Sequence, residues 1–228
     1  DKSVEKQGAG AALIKNPKLA QEIIHETMRG AGNLPVSVKT RIGYQQNNIK
    51  EWMKYLLDTG LAAITMHGRT RKEMSKVDAH WDIIAEAAQI ARDFDSSENR
   101  TLILGNGDVK NIDEAKEKAV QYQLDGIMIG RGIFGNPWLF AEGTTPTIEE
   151  KLRVMQEHTM LFEELYGNPS ANAGHNKRFD VMKKHYKAYV NGFDGAKELR
   201  MKLMSAKNAE EVKNIIKKEN IAIKERME

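Results

Sequence analysis

Two short glycine turns carry the chemistry that this sequence makes available. Gly105-Asn106-Gly107-Asp108 is followed 22 residues later by Gly130-Arg131-Gly132, each where an apolar run gives out. Successive small residues at such turns can aim backbone N–H groups into a concavity that holds phosphate. Lys39 lies in the alternating run Val36-Ser37-Val38-Lys39-Thr40-Arg41, and His67 ends the run Leu61-Ala62-Ala63-Ile64-Thr65-Met66-His67. A strand-borne lysine can stabilise negative charge on a flavin edge or on a substrate; the alternative is a half-buried ion pair. His67-Gly68-Arg69-Thr70-Arg71 sets two arginines beside the histidine, which suits phosphate or nucleic acid.

The elements that must position these residues read as a repeating unit. Asn16-Pro17 announces a helix that Gly30 and Gly32 end, with Leu19, Ile23 and Met28 as its apolar stripe. A strand follows Pro35, with Val36 and Val38 on one face and Ser37, Lys39 and Arg41 on the other. A helix from Asn48, with Glu51 completing a capping box and Gly60 as its stop, leads to the strand at 61–67. A helix over Trp81–Ala91, a strand over Arg100–Leu104, a helix boxed by Asn111 and Glu114, and a strand over Asp125–Ile129 complete the pattern. Strand starts separated by roughly 25 to 40 residues fit βα units with parallel strands.

Lys39, His67, Asn106 and Arg131 all fall at C-terminal strand ends, the face on which a (β/α)8 barrel gathers its functional residues. The fold class expected is therefore α/β: the C-terminal half of a TIM (β/α)8 barrel with four parallel strands, followed by an all-α helical bundle. A closed barrel needs four more strands, and the other half is expected upstream of Asp1. The domain boundaries expected are 1–143 and 144–228. After Pro146-Thr147 a long helix should carry Leu152, Met155, Phe162 and Leu165 on one side. A polar loop over Asn168–Asn176 and helices near 178–190, 196–205 and 209–218 should follow, the last boxed by Asn208 and Glu211.

Composition removes several function classes. The 228 residues carry a formal charge of +3, with no cysteine. Disulfides, thiolate metal sites and a cysteine acid or nucleophile are thereby excluded within these residues. No run approaches a membrane span, the opening residues lack the apolar core of a signal peptide, and the cytoplasm is the expected compartment. The histidines show no metal-ligand spacing, so no metal is expected. Charge is uneven, however: Lys177–Lys207 holds nine Lys/Arg against three acids, with Tyr186 and Tyr189 among them. Cations interleaved with aromatics suit an RNA-facing surface; a solvated helix face is the plainer reading.

Taken together, the blocks Gly8-Ala9-Gly10-Ala11-Ala12-Leu13, Val38-Lys39-Thr40-Arg41-Ile42-Gly43, His67-Gly68-Arg69-Thr70-Arg71, Gly105-Asn106-Gly107-Asp108-Val109 and Gly130-Arg131-Gly132 resemble the bacterial tRNA-dihydrouridine synthases in order and spacing. Lys184-His185-Tyr186 and Gly195-Ala196-Lys197-Glu198-Leu199-Arg200 are similar to that family's helical RNA-binding domain. The resemblance implies reduction of a uridine C5–C6 bond in tRNA, with FMN as cofactor and NADPH as electron donor. It implies Lys39 and His67 at the flavin, and Asn106, Gly107, Asp108, Gly130 and Arg131 at the ribityl phosphate. Arg41, Arg69, Arg71, Lys183, Lys184, Lys187 and Arg200 become RNA-binding candidates. The family's catalytic cysteine, in a Gly-Cys-Pro turn, is expected just upstream of Asp1, so the chain alone should have little or no activity. Two other readings stay open on the residues alone: an FMN barrel oxidoreductase acting on a small molecule, and a non-catalytic RNA-binding protein.

Overall fold

The computed structural model describes residues 2–97, 100–141, 143–167 and 178–227. Its backbone contacts divide the chain into two compact units, Asp1–Gly132 and Ile133–Glu228.

The first unit opens on helix α1 (Lys2–Lys6) and a single 3-10 segment over Gly10–Lys15. Three βα units and a final strand follow: α2 (Pro17–Ala31), β1 (Ser37–Arg41), α3 (Ile49–Leu57), β2 (Ala63–His67), α4 (Trp81–Phe94), β3 (Leu102–Asn106), α5 (Ile112–Gln121) and β4 (Gly126–Met128). The strands lie in chain order β1-β2-β3-β4 and every pairing is parallel. This is the expected α/β arrangement, compatible with half of a (β/α)8 barrel.

Register decides which side chains share a face. Val38, Ile64 and Ile103 align, as do Thr40, Met66, Gly105 and Ile127. That face packs under the helices: Ile64, Met66 and Ile103 are fully buried in one cluster with Trp52, Met53, Leu56, Ile84, Ala87 and Ala88. Burying side chains of this size stabilises the unit by roughly 1.5–3 kcal/mol each. Trp52 also donates its indole N–H to Thr40 Oγ1 at 3.1 Å, so the one hydroxyl on this face is satisfied. Gly105 is a packing glycine: a methyl there would lie 2.6 Å from the Trp81 ring and 2.7 Å from Leu124. The opposite face carries Lys39, Thr65, Leu104 and Gly126 in one row, with Arg41, His67, Asn106 and Met128 in the next. Lys39 and Leu102 on this face are exposed.

The helix ends show how local sequence set the boundaries, and where it misled. Asn16 caps α2 through Leu19 N–H, and Asn111 caps α5 through Glu114 N–H at 2.8 Å. The Asn48–Glu51 box does not form; Asn47 instead accepts from Ile49 N–H at 3.0 Å. In α2 the buried residues are Ala20 and Ile24, while Leu19 and Ile23 are exposed. The stripe read from the sequence was thus displaced by one residue around the helix, toward its bulkier side chains.

The second unit is helical: α6 (Ile148–Tyr166), a 3-10 turn over Phe179–Met182 running into α7 (Lys183–Tyr189), α8 (Ala196–Ser205) and α9 (Ala209–Met227). Thr147 caps α6 through Glu150 N–H at 3.2 Å. Leu152, Met155, Met182, Tyr186, Val190, Leu199, Leu203, Val212 and Ile216 form the core of this unit. Leu165 is exposed rather than inward, and the expected loop at Asn168–Asn176 lies outside the described residues. Asn208 caps α9 through Glu211 N–H at 2.8 Å, and Glu211 accepts from Lys207 N–H at 2.9 Å.

Candidate functional site

The sheet brings the strand-end residues together. Arg41, His67 and Asn106 are neighbours in one row on the face away from the helices, with Lys39 two residues back on β1. The turns after β3 and β4 are joined as well. Asn106 Nδ2 donates to Met128 O at 2.7 Å, and Arg131 Nη2 pairs with Asp108 Oδ1 at 3.1 Å. Gly132 packs against backbone: a methyl there would meet the carbonyl oxygens of Lys110 at 2.8 Å and Val109 at 3.0 Å. Only glycine permits this contact. Gly107, at φ 137°, is likewise a packing position, since a methyl would lie 2.6 Å from Ala79 Cβ. Gly130 differs, with no atom within 4 Å of where its methyl would be. Of the glycines in the two turns, it is therefore Gly130 that opens backbone to an incoming group.

Asp108 is the hub. It adopts the left-handed conformation at φ 57°, a region that aspartate tolerates better than most residues. Its carboxylate accepts from Ala79 N–H at 3.0 Å, from the Arg69 guanidinium, and from Arg131. Burial pushes this carboxyl up, but the hydrogen bonds from Arg69 and Ala79 and the charges of Arg69 and Arg131 outweigh it. Asp108 therefore stays ionised well below the usual carboxylate range. A carboxylate so engaged offers a phosphate nothing but repulsion; its contribution to an anion site comes through its backbone N–H and the arginines it holds.

The loop between β2 and α4 is stitched to this hub. Arg69 is 3% exposed; its Nε donates to Val77 O at 2.6 Å and its Nη1 lies 3.4 Å from His67 Nε2. Thr70 and Glu73 bond reciprocally, at 2.7 Å from Thr70 N–H and 3.2 Å from Glu73 N–H, and Glu73 also meets His80 Nε2 at 3.0 Å. Arg71 is ion-paired with Glu5 of α1, which also takes the Tyr44 hydroxyl. Arg41 Nη1 donates to Thr70 O at 3.2 Å. Of the three arginines here, Arg69 is interior and Arg71 is engaged by a carboxylate, so neither presents a free guanidinium. Glu5, Glu73 and His80 were missed by sequence reasoning. The Thr70-x-x-Glu73 spacing signalled one of them, while Glu5 lies 66 residues from its partner and gave no local sign.

Electrostatics at the mouth are cationic. Lys39 is exposed along part of its length, and partial desolvation against the sheet, then the neighbouring Arg41 charge, lowers its ammonium below its usual range. Arg41 is lowered by burial and by Arg69 and Arg71. His67 is pushed down to about 4 by burial and by Arg41, Lys39 and Arg69, against a smaller opposing effect of Asp108. Among the described residues the Lys39 ammonium makes no hydrogen bond or ion pair, so it is available to an anionic or carbonyl group on the open face.

In the helical unit the basic candidates are placed unevenly. Lys183 pairs with Asp180 at 2.6 Å, Lys184 lies 5.7 Å from the Phe134 ring, and Arg200 Nη1 donates to Val190 O at 2.7 Å. Lys187, Lys197, Arg200, Met201 and Met204 line an open cleft of about 380 Å3. The expected aromatic interleaving fails: Tyr186 and Tyr189 are buried. Burial pushes the Tyr186 hydroxyl up to about 12, and it meets Thr159 Oγ1 at 3.4 Å. They alternate with lysines because α7 has one core face and one wet face. Among the described residues, no group of three or more His, Asp or Glu side chains could hold a metal ion, and no helix is long and apolar enough to cross a membrane.

Fold and site together define a parallel α/β unit with an anion-suited, cationic strand-end site, joined in sequence to a helical unit. The family model for dihydrouridine synthase (Dus) matches residues 1–228, and the chain belongs to that family. Over 216 residues, 94% of the chain, it is 41% identical to a probable tRNA-dihydrouridine synthase of Staphylococcus epidermidis and covers 63% of that protein. The corresponding Staphylococcus aureus protein is also 41% identical, with 62% of its length covered. A probable tRNA-dihydrouridine synthase 2 of Bacillus subtilis is 38% identical, with 63% covered. The chain thus spans less than two thirds of the length of these relatives.

Proposed function

We propose that the chain serves reduction of a uridine C5–C6 bond in tRNA, with FMN bound at the C-terminal ends of β1–β4 and NADPH as the source of electrons. The observation that carries this reading is the joining of Lys39, His67, Asn106, Asp108, Gly130 and Arg131 at one end of one sheet face. The fit to a flavin phosphate rests on the open approach at Gly130, the backbone N–H groups of Gly107 and Asp108, and Arg131, which is 69% exposed and can turn toward an anion without leaving its turn. The sheet face offers Lys39 to an electron-rich ring edge, with a neutral His67 in the adjoining row. Bound there, FMN would supply hydride for C6 of the uracil, and C5 would need a proton. The 228 residues contain no cysteine, so a cysteine acid for that step is not supplied by this chain.

Binding of tRNA is assigned to the basic edge of the helical unit. Lys187, with Lys197 and Arg200 around the cleft, contributes cations that are not all held by acids, and phosphate contacts need little more than that. The domain reading remains a flavin-binding N-terminal part and an RNA-binding C-terminal part, the working compartment being the cytoplasm. The test pairs two assays on the purified chain: retention of flavin absorbance after FMN addition and desalting, and gel-shift binding to tRNA lacking dihydrouridine. Binding of both supports the reading. Flavin without tRNA favours a small-molecule oxidoreductase, and tRNA without flavin favours an RNA-binding protein.

A further inference from the structure

His67 is held from one side only. Its Nε2 lies 3.4 Å from Arg69 Nη1, and a guanidinium has donors and no acceptor. That nitrogen must therefore be bare. Arg69 cannot swing away to relieve the demand. It is buried, its Nε is fixed on Val77 O, and its other nitrogen is paired with Asp108, itself fixed by Ala79 and Arg131. The ring's orientation is marked by a second contact. A methyl at Gly107 would lie 3.5 Å from His67 Cδ2 and 3.7 Å from Nε2. The Cδ2–Nε2 edge therefore faces the loop and the β3 turn, and the Nδ1–Cε1 edge faces away from both. Among the described residues Nδ1 makes no hydrogen bond.

We propose that Arg69 is a positioning residue that locks His67 as the Nδ1–H tautomer, so that one fixed N–H donor is presented on the open face of the sheet beside Lys39. The group it would serve is a hydrogen-bond acceptor, a carbonyl or anionic oxygen on the bound planar cofactor. That consequence rests on the flavin reading; the tautomer itself does not. The surrounding cations support the arrangement by keeping the ring neutral at neutral pH, which leaves a single N–H whose place matters. Asp108, which sequence reasoning set against phosphate, acts here through Arg69.

The test is a long-range proton–nitrogen NMR correlation on the full chain labelled with 15N-histidine at pH 7.5, with the His67 signals assigned by their disappearance in His67→Gln. The expected result is a bare Nε2 and a protonated Nδ1. A protonated Nε2, or averaged nitrogens, overturns the proposal outright. In Arg69→Met the Nδ1–H form should lose its dominance, while Arg69→Lys, which keeps a donor, should recover part of it. A folded Arg69→Met with an unchanged tautomer also overturns it, because a merely structural arginine would leave the ring nitrogens alone. If Arg69→Met does not fold, the native spectrum and Arg69→Lys decide. Flavin retention is read separately. Loss of flavin binding with the tautomer intact counts against the cofactor reading, and flavin binding with a protonated Nε2 counts against the lock.

Discussion

Replacing Asp108 by asparagine isolates the charge that organises the site. Asparagine keeps the size of aspartate and tolerates the left-handed backbone at φ 57°, so backbone strain does not confound the result. Its amide oxygen can stand in for Oδ2, which accepts from both Ala79 N–H and Arg69, but it brings no charge, and the amide N–H2 then faces Arg131. Arg69 then remains as a buried cation without its counter-charge, its side chain being 4% exposed. Breaking a buried pair from one side costs about 3–5 kcal/mol. Asp108 is 31% exposed, and water can partly replace it, so about 2–4 kcal/mol is the better figure. Arg131→Met breaks only the exposed arm of the same hub, at 69% exposure, and should cost about 0–1 kcal/mol. Urea unfolding followed by tryptophan fluorescence suits the comparison, because Trp52 and Trp81 both pack in the first unit's core. With a urea slope of about 2 kcal/mol per molar, Asp108→Asn should lower the midpoint by roughly 1–2 M and Arg131→Met by less than about 0.5 M. Equal destabilisation in the two variants would refute the reasoning, since the buried Arg69 arm would then carry no more than the exposed one.

Further outcomes concern the neighbouring residues. Gly132→Ala forces a methyl against two backbone carbonyls and should destabilise the first unit by about 1–3 kcal/mol, whereas Gly130→Ala, facing open space, should leave the melting temperature unchanged and weaken FMN retention alone. His67 titrates near 4 in the folded chain against 6.5 for an unperturbed histidine, so the unfolded chain takes its proton first as pH falls. Stability from the neutral ring is complete above pH 6.5 and is lost between 6.5 and 4, and His67→Gln should flatten the dependence of the urea midpoint over that window. Lys187→Ala with Lys197→Ala should weaken tRNA binding uniformly across tRNA sequences and reduce the salt slope of log K by up to about 2, roughly one for each phosphate no longer neutralised; an unchanged slope would remove the cleft from the RNA-binding surface.

The repeating βα order was legible because each part has a local cause. Asn16-Pro17 and Asn111 are caps whose side chains bond within three residues, and Val36 and Val38 alternate with Ser37 and Lys39 at the strand period. The parallel strand order then places Lys39, Arg41, His67 and Asn106 on one face without further information. What could not be read is long-range. The Arg69–Asp108 and Arg71–Glu5 pairs join residues 39 and 66 positions apart, and nothing in the local pattern says that an arginine after a strand will be buried. The packing demands on the glycines were hidden for the same reason: Gly105, Gly107 and Gly132 answer to Trp81, Ala79 and the Val109–Lys110 carbonyls, which are neighbours set by packing. The burial of Tyr186 and Tyr189 was not legible because sequence adjacency to lysine does not reveal which side of a short helix faces the core.

The most direct measurement is a titration of FMN into the 15N-labelled chain, followed by backbone amide shifts. Saturable shifts are expected at Lys39, His67, Asn106, Gly107, Asp108, Gly130 and Arg131, with the phosphate-side amides also moving when ribose 5-phosphate replaces FMN. Shifts that cluster elsewhere, or none at saturating FMN in a chain whose spectrum shows the sheet folded, would contradict FMN binding at this site.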